Sequence, residues 1–268
     1  ITILKKKIYK KMIKKLIKFI LPRFTYNFLK IHYERLREKN ELKKFKKLNI
    51  KEIFHKIYED KLWTPETEKN NFKYYSGLGS HSDEFTSIYA NKVKEFLLTF
   101  SSKPSVVDLG CGDFAIGSKI RKYCDKYFAI DIFDKLININ KKKYSNLNVD
   151  FSTLDITEDQ LPSADICFVR QVLQHLSNDS IKKFLNLSFN KYKYLIITEH
   201  IPKEHSFKAN IDINTGPYIR INKNSGVVLT KQPFNLKVIN EKNICNIYPQ
   251  EIIGFKGVIN TKIYQLYK

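Results

Sequence analysis

The chain has 268 residues, 43% of them hydrophobic, which is enough to bury the core of one α/β domain and to add an extension. The formal net charge is +21, but residues 1–50 alone hold 17 Lys and Arg against 3 Asp and Glu, so the positive charge is concentrated at the N-terminus. Because 42 of the 48 basic residues are lysine, and arginine is the residue suited to bidentate phosphate contacts, the composition argues against a nucleic-acid partner.

The N-terminal region is predicted to be helical and basic. Residues 2–21 carry apolar side chains three and four positions apart, with lysine on most of the other face, which predicts an amphipathic helix. Further helices are predicted over 26–47 and 50–60, so we assign residues 1–62 to a basic helical extension. Residues 2–47 either pack on their own protein or touch an anionic membrane surface, and both interpretations stay open.

The only methionine is Met12, which opens a basic, apolar run. We interpret Met12 as the translation start and residues 1–11 as a mis-assigned one. The apolar runs near it are too short and too interrupted to predict a membrane span or a signal peptide.

Residues 63–104 are predicted to form a lead-in to the main domain. Residues 64–80 have the composition of a loop. A helix is then predicted over 83–99, with Ser82 as its N-cap, because apolar side chains recur on one side.

From residue 105 onward the pattern alternates between strand and helix. The predicted strands are Ser105–Leu109, Tyr127–Asp131, Val149–Leu154, Ala164–Arg170 and Tyr194–Thr198, and the predicted helices are 114–124, 133–142 and 178–190. This alternation predicts an α/β fold with a mostly parallel, Rossmann-like sheet. Residues 226–239 and 254–267 are predicted to add an antiparallel final hairpin, which completes a core domain over 105–268.

A glycine-rich turn follows the first of these strands, in VVDLGCGDFAIG at 106–117. Gly110 and Gly112 allow a tight strand-to-helix turn and let a ligand approach bare backbone. The helix that follows would offer free N–H groups to an anion. With Ala115, the two glycines also fit the dinucleotide pattern G-x-G-x-x-G/A, so this turn alone leaves a nicotinamide cofactor open.

Three acidic residues lie at the ends of consecutive predicted strands. Asp108 precedes the glycines, where a carboxylate can meet a cationic group such as an ammonium. Asp131 ends the second strand and is placed to bind both hydroxyls of a ribose. Asp155 follows the third strand and can accept a hydrogen bond from an adenine amino group. Since ligands bind at the carboxyl ends of strands in such sheets, the three acids predict one nucleoside-type site.

These residues resemble the class I S-adenosylmethionine-dependent methyltransferases over roughly residues 70–268. The resemblance rests on DLGCGD, on Asp131, on Leu154–Asp155 and on ADICFVRQVLQHL at 164–176. It implies a seven-stranded sheet and S-adenosyl-L-methionine as the cofactor. The segment Tyr74–His81 further resembles a loop of bacterial methyltransferases that serve surface-polysaccharide (capsule or lipooligosaccharide) synthesis.

Together, residues and resemblance imply a set of cofactor-binding positions and two candidate catalytic residues. The cofactor positions are Tyr75, Gly77, Asp108, Gly110, Cys111, Gly112, Asp113, Asp131, Ile132, Asp155, Ile156, Arg170 and Gln171. His175, just past the fourth strand, is a candidate general base or substrate ligand, and His200, after the fifth, is the second candidate. Residues 201–225 are predicted to be an irregular loop that selects the acceptor together with 64–81.

The predicted function is methyl transfer to a small molecule. The predicted acceptor is a hydroxyl of a sugar or nucleotide-linked saccharide in bacterial envelope polysaccharide synthesis. Four cysteines without a CxxC pair predict free thiols in a cytoplasmic protein, and no metal site is predicted. Two alternatives stay open, namely a methyltransferase that acts on RNA or protein, and a non-catalytic module that binds the same cofactor.

Overall fold

The computed structural model of the chain describes residues 25, 32, 42–204, 206–248 and 257–267. The chain divides into two compact units, Ile1–Lys47 and Leu48–Lys268. The helix predicted over 2–21, and most of the helix predicted over 26–47, lie outside the described residues. In the part of the chain that the structure describes, every helix is too short or too polar to span a bilayer.

The second unit contains a seven-stranded sheet in the order β3-β2-β1-β4-β5-β7-β6. The strands are β1 (Val106–Leu109), β2 (Tyr127–Asp131), β3 (Asp150–Thr153), β4 (Ile166–Arg170), β5 (Tyr194–Ile201), β6 (Asn240–Ile247) and β7 (Val258–Gln265). The first five pair in parallel, whereas β7 runs antiparallel to both β5 and β6. The predicted Rossmann-like fold with an antiparallel final hairpin is therefore confirmed.

The helices are α1 (Ile50–Glu59), α2 (Asp83–Leu97), α3 (Ala115–Ile120), α4 (Asp134–Lys143) and α5 (Asn178–Ser188). Helix α1 begins at a capping box, because the Asn49 side chain accepts from the N–H of Glu52 and the Glu52 carboxylate accepts from the N–H of Asn49, both at 2.9 Å. Ser82 occupies the N-cap of α2, but its side chain makes no capping hydrogen bond. Helix α1, which the sequence grouped with the extension 1–62, lies in the second unit.

The strand predicted over 226–239 is wrong, and the first strand of the final hairpin is instead β6, Asn240–Ile247. Backbone groups of 228–232 bond to a side chain instead of a neighbouring strand: Asn210 donates to the carbonyls of Val228 and Gln232 and accepts from the Val228 N–H. Strand β6 was missed because it lies at the sheet edge and contacts one neighbour only. It therefore tolerates the polar sequence NEKNICNI.

The parallel strands end together at one edge of the sheet. Leu109 of β1 lies beside Ile130 of β2 and Val169 of β4, so the segments that leave these strands begin side by side. The strands themselves are apolar and buried, as expected for a parallel sheet covered on both faces. Their polar residues lie together at the carboxyl ends of the strands, and these strand ends border the cavity described next.

Candidate functional site

A cavity of about 350 Å³ opens at the carboxyl ends of the parallel strands, a volume that suits a small-molecule ligand. Thirteen of the fifteen site residues predicted from the sequence border it. These are Gly77, Asp108, Gly110, Cys111, Gly112, Asp131, Ile132, Asp155, Ile156, Arg170, Gln171, His175 and His200. The other two, Tyr75 and Asp113, lie beside the cavity and act through their neighbours.

The glycine turn after β1 leaves no room for side chains. Gly110 and Gly112 have φ angles of +78° and +56°, which residues with a Cβ rarely adopt. A Cβ at Gly112 would stand 2.5 Å from the Ser76 Oγ, and one at Gly110 would overlap the Val172 side chain. The turn thus exposes bare backbone to whatever occupies the cavity.

Asp108 is a buried carboxylate at the end of β1. The Tyr127 hydroxyl donates to its Oδ2 over 2.9 Å. Burial raises the pKa of Asp108 to about 7, although the Tyr127 hydrogen bond and the charge of Arg170 act in the opposite direction. A cationic group in the cavity would stabilise the ionised form, which suits a ligand that carries an ammonium.

Asp131 and Asp155 continue the acidic row at the ends of β2 and β3. Asp131 accepts from the N–H of Gly112 at 3.0 Å and from that of Phe133 at 3.1 Å, so it ties the glycine turn to the next strand. Burial raises its pKa to about 6. Asp155 is half-buried, and its Oδ1 accepts from both the N–H and the hydroxyl of Thr157.

Asp113 fills the place where an anionic ligand would meet the following helix. Its Oδ1 accepts from the Ala115 N–H over 3.2 Å, and helix α3 is only six residues long. The chain's own carboxylate thus already occupies one of the N–H groups that were predicted to be free for an anion, and the anion site itself stays a prediction. A dinucleotide pyrophosphate would have to displace that carboxylate.

The segment before α2 is fastened to the glycine turn through Asp113. The His81 Nε2 lies 2.5 Å from the Asp113 Oδ2, and the His81 ring stacks on Tyr75 with centroids 4.2 Å apart. The Ser76 hydroxyl accepts from the Asp113 N–H. Burial alone would raise the pKa of Asp113, but His81, Ala115 and Ser76 together lower it. This fastening places Ser76 and Gly77 at the cavity wall.

Arg170 and Gln171 leave β4 toward the same segment. Arg170 donates to the carbonyl of Gly79 at 2.6 Å and lies over the Tyr89 ring at 5.1 Å. Gln171 adopts a φ of +55°, and its N–H donates to the Thr198 carbonyl of β5. Both residues therefore connect the strand ends to the lead-in segment, as well as bordering the cavity.

The two histidines border the opposite half of the cavity. His175 ends a 3₁₀ turn at Leu173–His175, and burial lowers its pKa to about 4, so the ring is neutral near pH 7. His200 lies within β5, because this strand runs to Ile201 and not to Thr198 as predicted. The Gln174 side-chain oxygen accepts from the His200 N–H and links the two segments.

Aromatic and apolar residues of this half were not predicted from the sequence. Trp63 donates from its Nε1 to the Pro217 carbonyl over 3.2 Å, and its ring centroid lies 4.7 Å from that of His175. Phe54 of α1 completes this wall, whereas Tyr58 of the same helix borders the cavity beside the acidic row, because its ring stacks on Phe133 with centroids 4.8 Å apart. The spacing of apolar residues indicated the α1 helix, but nothing in the sequence indicated that one side of it borders the cavity.

The loop predicted over 201–225 is fixed by a buried arginine. Arg220 is fully buried and donates to the carbonyls of Leu173 and Leu176 and to the Asn178 Oδ1, over 2.7–2.9 Å. Glu199 accepts from the Leu173 N–H at 3.0 Å. These two side chains fix the turn that carries His175. The Arg220 hydrogen bonds also attach residues 217–222 to that turn, so this segment forms an ordered part of the cavity wall.

The donor set does not resemble a metal site. Among the residues that the structure describes, no three His, Cys, Asp or Glu side chains are arranged to hold an ion. All four cysteines are free thiols, and burial raises the pKa of Cys111, which borders the cavity, so it is a poor nucleophile.

Comparison with known protein families finds one similarity, over about a third of the chain. Residues 106–190 match the family described as a methyltransferase domain. No curated protein sequence matches the chain. The matched stretch spans strands β1 to β4 of the Rossmann-like sheet and helix α5, and it includes the glycine turn.

Solved structures share the fold at low identity. One is magnesium protoporphyrin IX methyltransferase from Synechocystis PCC 6803 with bound SAM, at 12% identity and a TM-score of 0.51, covering 82% of this chain and 99% of that one. Another is WbdD, at 13% identity and a TM-score of 0.50, covering 69% of this chain but only 41% of that one. N-methyltransferase NodS from Bradyrhizobium japonicum WM9 has 12% identity and a TM-score of 0.48, covering 69% of this chain and 99% of NodS.

Proposed function

We propose that this chain binds S-adenosyl-L-methionine and transfers its methyl group to a hydroxyl of a sugar or nucleotide-linked saccharide in bacterial envelope polysaccharide synthesis. The observation that carries the cofactor assignment is the row of carboxylates Asp108, Asp131 and Asp155, which border one cavity around a glycine turn. The methyltransferase match over 106–190 supports the reaction type.

The residues fit the cofactor part by part. Asp108 has the buried carboxylate that an ammonium would stabilise. Asp131 would accept from the two ribose hydroxyls, and Asp155 would accept from the adenine amino group. The bare backbone of Gly110 and Gly112 lets the cofactor pass close to the strand ends. When bound, S-adenosyl-L-methionine supplies a methyl group activated by its sulfonium.

The remaining task of the protein is to orient the acceptor and take its proton. The neutral His175 is the proposed general base or substrate ligand, with His200 as the second candidate. Because a ring with such a low pKa is a weak base, it would accept the proton only while the hydroxyl attacks the methyl carbon. Alignment of the acceptor by the cavity walls would therefore supply much of the rate acceleration.

The acceptor and the location rest on separate observations. The resemblance of Tyr74–His81 to the loop of surface-polysaccharide enzymes supports a sugar. The wall around His175 is aromatic and uncharged, which agrees with a neutral small molecule at that end of the cavity. The free thiols agree with a reducing, cytoplasmic setting.

The test is calorimetric titration of the full chain with S-adenosyl-L-methionine, S-adenosylhomocysteine and NADH in parallel. We expect micromolar binding of the first two and none of NADH. Asp108→Asn should weaken binding about 10–100-fold, the worth of a hydrogen bond to a charged group. Asp150→Asn, at the exposed start of β3, is the matched control and should bind as the wild type does.

Other outcomes would point elsewhere. Binding of NADH alone would make the glycine turn a dinucleotide site and overturn the proposal. Cofactor binding without methyl transfer to any sugar, glycoside, RNA or protein would favour a non-catalytic module.

A further inference from the structure

The wall of the cavity opposite the acidic row is aromatic and uncharged. We call this half the acceptor chamber and define it by Phe54, Trp63, His175, Pro217 and Ile219, all of which border the cavity. Of these side chains, only the His175 imidazole ordinarily has a pKa near neutrality. Burial lowers that pKa to about 4, so the ring is uncharged near pH 7. A ligand in this chamber therefore meets rings and apolar groups.

Positive charge is scarce along the whole cavity, although the chain is strongly basic. The chain has 48 Lys and Arg, yet among the described residues that border the cavity there is no lysine and one arginine, Arg170. Arg170 is engaged by the Gly79 carbonyl and the Tyr89 ring on the cofactor side. Three carboxylates border the same space, so a phosphate inside it would be repelled and would lack a cationic partner.

Trp63 offers this chamber a fixed flat surface. Its Nε1 is anchored on the Pro217 carbonyl, and its ring system packs at 79° to the Tyr58 ring with centroids 5.5 Å apart and lies 4.7 Å from the His175 ring. The ring is half-buried, so part of it faces the cavity. Sugar rings have an apolar C–H side that packs on aromatic rings, while their hydroxyls need polar partners, and the polar side chain of Gln174 also borders the cavity.

We propose that the acceptor enters as an uncharged sugar ring packed on Trp63, and that any phosphate or nucleotide attached to it stays outside the cavity. This inference rests on the proposed function and narrows it: the group that is methylated belongs to a neutral glycoside, and a sugar phosphate is a poor ligand. It assigns Trp63 as the residue that selects for an uncharged ring.

Trp63 is the only tryptophan in the chain, so intrinsic fluorescence reports directly on the chamber. The full chain, saturated with S-adenosylhomocysteine, is titrated with methyl glycosides of common hexoses, with the matching hexose 1-phosphates and with the matching nucleoside diphosphate hexoses. We expect at least one methyl glycoside to change the fluorescence, with a Kd at least tenfold below that of its phosphorylated counterparts. Tighter binding of the phosphorylated members, or no response from any neutral glycoside, would overturn the inference.

Two variants separate this inference from the proposed function. Trp63→Ala should raise the KM for the neutral acceptor about tenfold or more and leave the S-adenosylhomocysteine Kd within twofold, whereas Trp63→Phe, which keeps a ring, should recover most of the loss. Asn222→Lys places a cation at an exposed position on the cavity wall and should tighten binding of the hexose 1-phosphate without affecting the neutral glycoside. Loss of S-adenosylhomocysteine binding by the wild type would defeat the proposed function itself, and equal KM values for Trp63→Ala and wild type would defeat only the inference.

Discussion

The two halves of the cavity are built by different means. The cofactor half comes from backbone turns and carboxylates within residues 108–155, at the ends of three neighbouring strands. The acceptor chamber comes from side chains of α1, the turn at 173–175 and the wall at 217–222, which are far apart in sequence. Under the proposed function, cofactor binding is thus encoded locally in the sequence, whereas the choice of acceptor depends on long-range packing.

Their electrostatics differ in the same way. The acidic half holds Asp108 and Asp131 at raised pKa values, so it has carboxylates whose charge is stabilised only when a suitable ligand arrives. The acceptor chamber is neutral, and its one nearby buried cation among the described residues, Arg220, is fully used in holding the backbone around His175. The carboxylates of the first half gain a charge partner only from a ligand, whereas the buried charge beside the second half is already fully hydrogen-bonded by the protein.

Removal of Arg220 should have the largest effect on the protein, because it dismantles the support of the acceptor chamber. Arg220→Leu leaves the carbonyls of Leu173 and Leu176 and the Asn178 side-chain oxygen buried without their donor. Each such orphaned group is destabilising, so we expect the free energy of unfolding to fall by about 3–5 kcal/mol. Urea unfolding followed by circular dichroism measures this change.

Arg121→Leu is the matched control. Arg121 also donates to two carbonyls, those of Asn148 and Cys124, but it is only half-buried and its bonds to Asn148 are exposed, so water can replace the lost donor. The loss should be about 1 kcal/mol or less. Equal losses for the two variants would mean that the acceptor wall is not held by Arg220.

The contrast between the halves also explains what could be predicted from the sequence. The parallel strands were located because buried strands are continuous apolar runs, and the cofactor half followed because its residues sit at strand ends. Edge strand β6 was misplaced since it is polar, and Asn210 gave residues 226–239 a structure that depends on side-chain bonds across 18 or more residues. Such bonds leave no periodic signal.

The acceptor chamber was missed for a related reason. Trp63 opens the predicted lead-in over 63–104, and nothing in the sequence indicates that it contacts Pro217, 154 residues away. Arg220 stood in a loop, where arginine is ordinarily solvated, and its complete burial follows only from the carbonyls that surround it. Because the sequence around Arg220 has no helix or strand periodicity, it does not indicate that this charged side chain is buried.

Replacement of His175 should have the next largest effect, and on turnover instead of stability. If the neutral ring accepts the proton of the acceptor, His175→Ala should lower kcat about 100-fold, the lower end for a general base, because a group with a pKa of about 4 is a weak base. Steady-state assays with a responsive glycoside measure it. His175→Phe preserves the contact with the Trp63 ring, so it distinguishes the two roles of the ring. A near-wild-type kcat for His175→Phe would make His175 a packing residue and leave His200 as the candidate base.

The smallest effect, about tenfold, is a pH dependence with opposite signs for folding and for binding. The pKa of Asp108 is about 7 in the folded protein and about 3.9 in an unfolded chain, so the folded state holds the proton more tightly and the free energy of unfolding should fall as pH rises from 4 to 7. An ammonium-bearing ligand needs the ionised carboxylate, so the S-adenosylhomocysteine Kd should instead improve about tenfold between pH 5.5 and 7. Above pH 8 the ligand's own amino group loses its proton, and the affinity should decline again.

Asp108→Asn should remove most of both pH trends below pH 7 and leave a weaker one from Asp131, whose pKa is about 6. Asp150→Asn should change neither trend. Calorimetry across this range in wild type and both variants gives the answer, and an affinity that is flat between pH 5.5 and 7 would mean that Asp108 does not meet the ligand's charge.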